Sequence, residues 1–261
     1  EIYTLSLHDA LPICQVTEKR ITEHCFACAV RCPLRHFDTE IRFAAMGGEW
    51  FTGVRKKGKF IMIENKLDLT TSAELAREEE RISKKRAAEL FESDILDGFV
   101  PGKLSTLKEI HRYLFQDIYD FAGKIRTVNI AKGNFRFASV VYLREALENI
   151  DKMPQSDFGK IVEKYVEMNV AHPFREGNGR SMRIWLDHIL KNEIGKVVDW
   201  SKVSKEDYLT AMERSPIKDI EIGHLLKNAL TDKINSRELY MKGVDHSYHY
   251  EGYAAFKTEE L

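Results

Sequence analysis

The run His172-Pro173-Phe174-Arg175-Glu176-Gly177-Asn178-Gly179-Arg180-Ser181-Met182-Arg183 holds a base, an acid, two glycines, an amide and the paired guanidiniums of Arg180 and Arg183. A core-building segment would space its apolar residues for a helix. This one places Gly-Asn-Gly just ahead of an amphipathic stretch, where the free N–H groups of a helix start face outward. That is a phosphate cradle. His172, with an ordinary pKa of about 6.5, is the natural proton acceptor at neutral pH, and Glu176 is a hard oxygen ligand suited to magnesium. The competing reading is a glycine-rich helix-to-helix loop with solvated charges. Phe174 argues against it, because an apolar residue among polar ones anchors such a loop to a core.

Outward from this run the period is helical. After Pro154 a helix is expected from Ser156, with Phe158, Ile161, Val162, Tyr165 and Met168 or Asn169 on its buried stripe. His172 ends that helix and Pro173 fixes the exit. Asn178 starts the next, in which Ile184, Trp185, Ile189 and Leu190 pack inward while Arg180 and Arg183, three apart, share the face nearest the cradle. Upstream, Thr71-x-x-Glu74 reads as a capping box opening a charged segment with Leu75, Ile82 and Leu90 at heptad-like spacing, and Thr106-x-x-Glu109 as a second start. His111 on that second helix reads as a core-edge or surface residue. Between Arg126 and Tyr142 the helical period stops. Thr127 to Ile130 and Phe135 to Phe137, around Lys132-Gly133-Asn134, alternate as a short hairpin, whose exposed edge is open to strand addition by a target. Helices resume over 142–151, from a Ser204-x-x-Asp207 cap and over 220–230. His188 has no metal-spaced partner. The fold expected is one all-α domain from residue 62 with a two-stranded flap.

The run 172–183 resembles the signature of the Fic family, HxFx(D/E)GNGRxxR, at every fixed position, and Tyr119-Asp120-Phe121-Ala122-Gly123-Lys124-Ile125-Arg126 is similar to the segment ahead of that family's flap. The resemblance extends from about Met62 to the C-terminus. It implies a protein adenylyltransferase that moves AMP from ATP to a Tyr, Thr or Ser hydroxyl of a target protein and of itself, with magnesium (Mg2+). In that role His172 is the base and Glu176 the metal ligand. Gly177, Asn178, Gly179, Arg180 and Arg183 bind phosphate, while Lys132, Gly133, Asn134, Phe135 and Arg136 form the flap that positions the target. A kinase-like branch of the superfamily carries Ala-Asn-Lys where this chain has Gly177-Asn178-Gly179, which favours AMP transfer. A Fic-fold phosphotransferase and a nucleotide-binding regulator without turnover stay as alternatives. Near the C-terminus Ser247-Tyr248-His249-Tyr250-Glu251-Gly252 resembles the family's inhibitory helix motif, (S/T)xxxE(G/N), over about 246–254. By that analogy Glu251 reaches Arg183, with Ser247 and Gly252 completing the motif; the alternative is a surface tail with aromatic contacts. Tyr248 and Tyr253 are candidate self-modification sites.

The 261 residues carry a formal net charge of −1 with acids and bases interspersed, so no basic field points to nucleic acid. No stretch approaches the roughly eighteen consecutive apolar residues of a membrane span, and a cytoplasmic location is expected; homo-oligomerisation stays open. All four cysteines, Cys14, Cys25, Cys28 and Cys32, fall at the N-terminal end. Cys25, Cys28 and Cys32, with His24 and His36, have spacing that suits zinc. Against this, Glu1 to Ile13 reads like a translated sequencing adapter, so residues 1–61 are expected to be non-native and outside the fold. Gly53 to Phe60 nearly matches a P-loop but ends in Phe where a hydroxyl must reach magnesium, and is expected to be a solvated tail.

Overall fold

The computed structural model describes the backbone of residues 40–46, 49–51, 53–56 and 59–62, and residues 63–132 and 135–261 in full. Among these, eight α-helices form the body: α1 (Ser72–Glu92), α2 (Leu104–Phe115), α3 (Val140–Lys152), α4 (Phe158–Ala171), α5 (Asn178–Ile194), α6 (Lys205–Arg214), α7 (Ile220–Asn228) and α8 (Arg237–Tyr250). α5 is the hub, packed against α2, α4 and α8, while α1 lies across α2 and α8. Its face Met182, Trp185, Leu186, Ile189 and Leu190 is fully buried, in one core with Leu107, Ile110, Leu114, Ile161 and Tyr165. Burying side chains of that size, at about 1.5–3 kcal/mol each, makes the two helices flanking the cradle a rigid support.

Local rules account for most helix starts. Thr71 caps α1, accepting from Glu74 N–H at 3.3 Å while its hydroxyl donates to the Glu74 carboxylate at 2.6 Å. Ser204 caps α6 through Asp207 N–H at 3.1 Å. Thr106 does not cap α2. That helix begins at Leu104, whose N–H donates to the Asp151 carboxylate at 2.6 Å, and Thr106 is buried with its hydroxyl on the Val100 carbonyl. A carboxylate from the end of α3 outcompetes the local hydroxyl because charge-assisted bonds to backbone donors are the stronger kind.

The flap is a hairpin of β5 (Asn129–Lys132) and β6 (Phe135–Arg136), paired Ala131 to Arg136 and Lys132 to Phe135. Gly133 and Asn134 lie outside the described residues. Four further strands, β1 (Glu40–Met46), β2 (Glu49–Phe51), β3 (Gly53–Lys56) and β4 (Lys59–Met62), join the flap in one sheet, and β1 runs parallel to β5 with Ile41 opposite Ile130. The outer edge of β5 is therefore paired with β1, while β6 ends the strand order and is the side of the hairpin left for a target strand among the described residues. The basic run expected as a solvated tail supplies the backbone of β3 and β4, an antiparallel pair. The cysteine cluster lies outside the described residues. A separate pair, β7 (Val197–Val198) with β8 (Leu230–Thr231), closes the body. Among the described residues no helix is long and apolar enough to cross a membrane.

Candidate active site

α4 ends at His172, which sits in the left-handed region (φ +48°) as the C-cap, its N–H donating to the Met168 carbonyl at 2.9 Å. A non-glycine residue held there stores strain, and such strain gathers at functional sites. Arg126 holds the geometry. Buried at 3% exposure, it donates to the carbonyls of His172 (2.7 Å), Val128 (2.7 Å), Ala171 (3.0 Å) and Ala138, and its own N–H donates to the Pro173 carbonyl at 2.8 Å. One guanidinium thus ties the base of the flap to the end of α4. Burial without a carboxylate lowers its pKa to about 10.

The His172 ring stacks on Phe137, centroids 3.6 Å apart, and its Nδ1 lies 3.1 Å from the Asn169 carbonyl. A carbonyl only accepts, so Nδ1 carries the proton and Nε2 keeps a free lone pair. Burial, with the charges of Arg126 and Lys132 adding to it, pushes the imidazole down to about 3, against the hydrogen bond to Asn169. The ring is neutral at physiological pH. A base with one open nitrogen stands at the wall of a cavity of about 390 Å³, which is also lined by Glu176, Gly179, Arg183, Lys132 and Glu251.

The turn after Pro173 is shaped by its own residues. Phe174 is fully buried and stacks on His111 at 3.8 Å, as an anchor should. Gly177 caps α5 at φ +75°, where a Cβ would enter the Phe115 ring. At Gly179 a Cβ would come within 2.6 Å of Glu251 Oε1, so glycine lets an anion approach the first turn of α5. Asn178 departs from the expected phosphate role. Its carboxamide accepts from Phe174 N–H and donates to Phe174 C=O, both at 2.8 Å, so the side chain braces the turn and only its backbone N–H remains for a ligand.

Arg180 also departs. It is 1% exposed and paired with Glu79 and, at 3.0 Å, with Glu176, its guanidinium lying between the rings of Phe115, Tyr248 and Tyr253. Glu79 in turn accepts from Tyr119 and from Tyr253, the latter at 3.0 Å. The expected distal-phosphate donor is held by carboxylates here. Glu176 Oε1 accepts from Gly177 N–H and Arg180, both at 3.0 Å, whereas Oε2 is buried with no hydrogen-bond partner among the described residues. Burial raises this carboxyl to about 7 despite Arg180, with Glu79 and Glu251 adding repulsion. A buried oxygen without a donor fits a hard cation. Among the described residues no cluster of three or more metal-ligating side chains exists, so a magnesium ion here would take one protein carboxylate, with phosphates and waters completing its shell.

The C-terminal helix closes the cavity. Arg183 donates to Ser247 Oγ at 2.6 Å, to the Ser247 carbonyl at 2.9 Å and to Glu251 Oε1 at 3.3 Å. Glu251 Oε2 accepts from Lys132 of the flap at 3.2 Å. Burial alone would raise Glu251; the charges of Lys132, Arg183 and Arg180 overcome it and hold the carboxylate well below its usual range. Gly252 (φ +94°) lets the chain leave α8 through a Schellman turn, Gly252 N–H to His249 C=O at 3.0 Å and Tyr253 N–H to Tyr248 C=O at 3.1 Å. Tyr248 is buried and Tyr253 turns its hydroxyl onto Glu79, so neither is offered as a modification site while α8 is seated. Sequence reading also missed His111, which is fully buried. Its Nδ1 accepts from Gly123 N–H at 2.9 Å and its Nε2 bonds the Glu176 carbonyl at 2.8 Å. It lies on α2, outside the 119–126 segment, and no local pattern in the sequence marked its contact to Glu176.

The Fic/DOC family model matches residues 101–190, which contain this whole turn. Over 166 residues the chain is 30% identical to the probable protein adenylyltransferase y4lH of Sinorhizobium fredii, covering 59% of this chain and 83% of that protein. The chain belongs to the Fic/DOC family. It is 31% identical over 196 residues to the protein adenylyltransferase VbhT of Bartonella schoenbuchensis, a match that takes in 69% of this chain but only 40% of VbhT. The Fic fold recurs in the BepC protein of Bartonella tribocorum with bound AMPPNP, at TM-score 0.52 and 17% identity, covering 65% of this chain and 92% of that one.

Proposed function

We propose that this Fic protein transfers AMP from ATP to a hydroxyl of a target protein and that Glu251 holds it in check. The observation that carries the reading is the His172 tautomer: Nδ1 is spent on Asn169 and Nε2 is left as an acceptor beside a helix N-terminus. The target hydroxyl gives its proton to Nε2, its oxygen attacks the α-phosphorus, the bond to the bridging oxygen breaks, and pyrophosphate leaves. Nearby phosphate charge favours the imidazolium so formed, and this offsets the burial that keeps the free ring neutral. The first-turn N–H groups of α5 hold phosphate oxygens, and Arg183, once freed, holds a distal one. Glu176 Oε2 would hold magnesium, which when bound neutralises charge on the phosphates. Relatives named protein adenylyltransferases and a neighbour carrying AMPPNP support the reading.

The brake follows from the same contacts. Ser247 and Glu251, one turn apart on α8, together occupy three hydrogen bonds of Arg183. The target is a protein presented along the flap, and the compartment is the cytoplasm, where ATP and magnesium are available. Incubation of the Glu251→Gly protein with a lysate and ATP labelled at either the α- or the γ-phosphate tests the reaction. Label from the α position in protein is expected. Label from the γ position alone would make the protein a phosphotransferase, and no label with ATP bound would make it a non-catalytic regulator.

A further inference from the structure

Glu251 is gripped from two sides by parts of the molecule with different expected tasks. Arg183, on α5, belongs to the nucleotide cradle, whereas Lys132, on β5, belongs to the flap that faces the target. Yet one carboxylate joins them, Oε1 to Arg183 at 3.3 Å and Oε2 to Lys132 at 3.2 Å, with Oε1 lying against the Cα of Gly179 on the first turn of α5. Two cations and a helix N-terminus converge on a single anionic group. The side chains are 2% exposed at Arg183, 22% at Glu251 and 29% at Lys132, so the charges meet half-buried at the wall of the cavity, where salt screens them less than at the surface.

We propose that Lys132 is a phosphate ligand: when Glu251 withdraws, the distal phosphate of the nucleotide takes its place and bridges Arg183 to the flap. A phosphate offers oxygens in a fork similar to that of a carboxylate, with more charge, so it satisfies both donors at once. Lysine suits the post because its ammonium, with three rotatable donors at the end of a flexible stem, donates to oxygens approaching from several directions. Lys132 pairs across the hairpin with Phe135, next in sequence but one to Phe137, which stacks on His172. A phosphate pulling on Lys132 therefore fixes the strand that runs over the base, and nucleotide binding orders the surface that receives the target. This assigns Lys132 to the nucleotide rather than to the target peptide.

The inference rests on the nucleotide-binding reading above. The test measures ATP, ADP and AMP affinity by calorimetry on Glu251→Gly and on Glu251→Gly/Lys132→Met, both checked to be folded by far-UV circular dichroism. Loss of a charge-assisted phosphate contact should weaken ATP by about tenfold to a hundredfold while AMP stays within about twofold. Lys132→Arg in the same background keeps the charge and should retain ATP affinity within about threefold, separating charge from flap packing. Equal ATP affinity with and without the lysine overturns the assignment and leaves Lys132 to the target. ATP and AMP weakened alike overturns it too, because a distal contact cannot affect AMP. A Glu251→Gly protein that binds no ATP at all would overturn the nucleotide site itself and Lys132 with it.

Discussion

Removing the Glu251 carboxylate changes two interactions at once, and their geometry sets the size of the effect. Charge-assisted hydrogen bonds contribute about 1.5–3 kcal/mol each. The two at Glu251, at 3.2 and 3.3 Å, are long, which favours the lower end. Together they amount to roughly 3 kcal/mol of competition that ATP must overcome, or about a hundredfold in apparent affinity. Glu251→Gly should therefore lower the KM for ATP in AMP incorporation by up to about a hundredfold, with a smaller rise at saturating ATP. The same change removes the carboxylate that Arg183 and Lys132 both hold, so the nucleotide-free variant should melt below the wild type and regain the difference when ATP is added. A ligand that stabilises the variant more than the wild type is the signature of a competitor removed, since binding to the folded state alone raises stability. Initial rates from labelled ATP across a wide concentration range, with parallel thermal melts, give both numbers. If incorporation matches the wild type at every ATP concentration and ATP shifts both melting temperatures equally, α8 is not the inhibitor.

His172→Ala should abolish AMP incorporation in the Glu251→Gly background while ATP affinity changes by no more than about twofold; His172→Gly should be equally inactive yet about 1 kcal/mol more stable than the alanine variant, because glycine relieves the left-handed backbone, as urea melts would report. The His172 pKa is depressed on folding, so its contribution is present above about 6.5 and is lost as pH falls toward 3; melts at pH 7.5 and 5.5 should show the wild type losing about 1 kcal/mol more than His172→Gln. Deleting residues 1–61 should leave the melting of the helical body within about 1 kcal/mol, since the described core begins at Ile63, and a loss of several would make β1 part of the fold. Lys84→Ala should cost about 3–5 kcal/mol in the same assay, because it removes the cation paired with Glu80 at 2% exposure and cuts the ties to Asp245 and the Phe256 carbonyl.

What could be read from the chain was what neighbouring residues decide. The break at His172, the start at Asn178 and the caps at Thr71 and Ser204 all depend on residues within about one turn, and each lies where the pattern put it. Thr106 was misread because its competitor, Asp151, is remote in sequence. Within the charged segment that opens at Thr71, Glu79 and Glu80 are buried. Glu80 has the local i,i+4 partner Lys84, but the others, Arg180, Tyr119, Tyr253 and the backbone of Ala255 and Phe256, are ones that no local rule connects to α1. Within the cradle the residue types were legible and the division of labour was not. Asn178 and Arg180 look like ligands by type, but the carboxamide closes on Phe174 and the guanidinium on Glu79 and Glu176.

That division separates the fixed part of the site from the part that can exchange. The Arg126 carbonyl clamp, the Asn178 brace, Gly177 against Phe115 and the His111 bridge all join α2, α4, α5 and the base of the flap to one another, and none involves α8. They keep the base and the first turn of α5 in place whether or not the helix is seated, which is the condition for electrostatic preorganisation. Arg183 and Lys132 differ, because the carboxylate they share comes from the end of α8. α8 is itself moored to α1 through Lys84 and Asp245 and through the Tyr253 bond to Glu79, the same carboxylate that holds Arg180. Withdrawal of Glu251 with the tail would thus loosen the cage around Arg180 while freeing Arg183. The order of release can be read from Tyr253→Phe, which cuts the Glu79 contact without touching Glu251. If the mooring and the brake act as one unit, that variant should raise AMP incorporation part of the way toward Glu251→Gly, whereas an unchanged rate would confine the switch to the carboxylate alone.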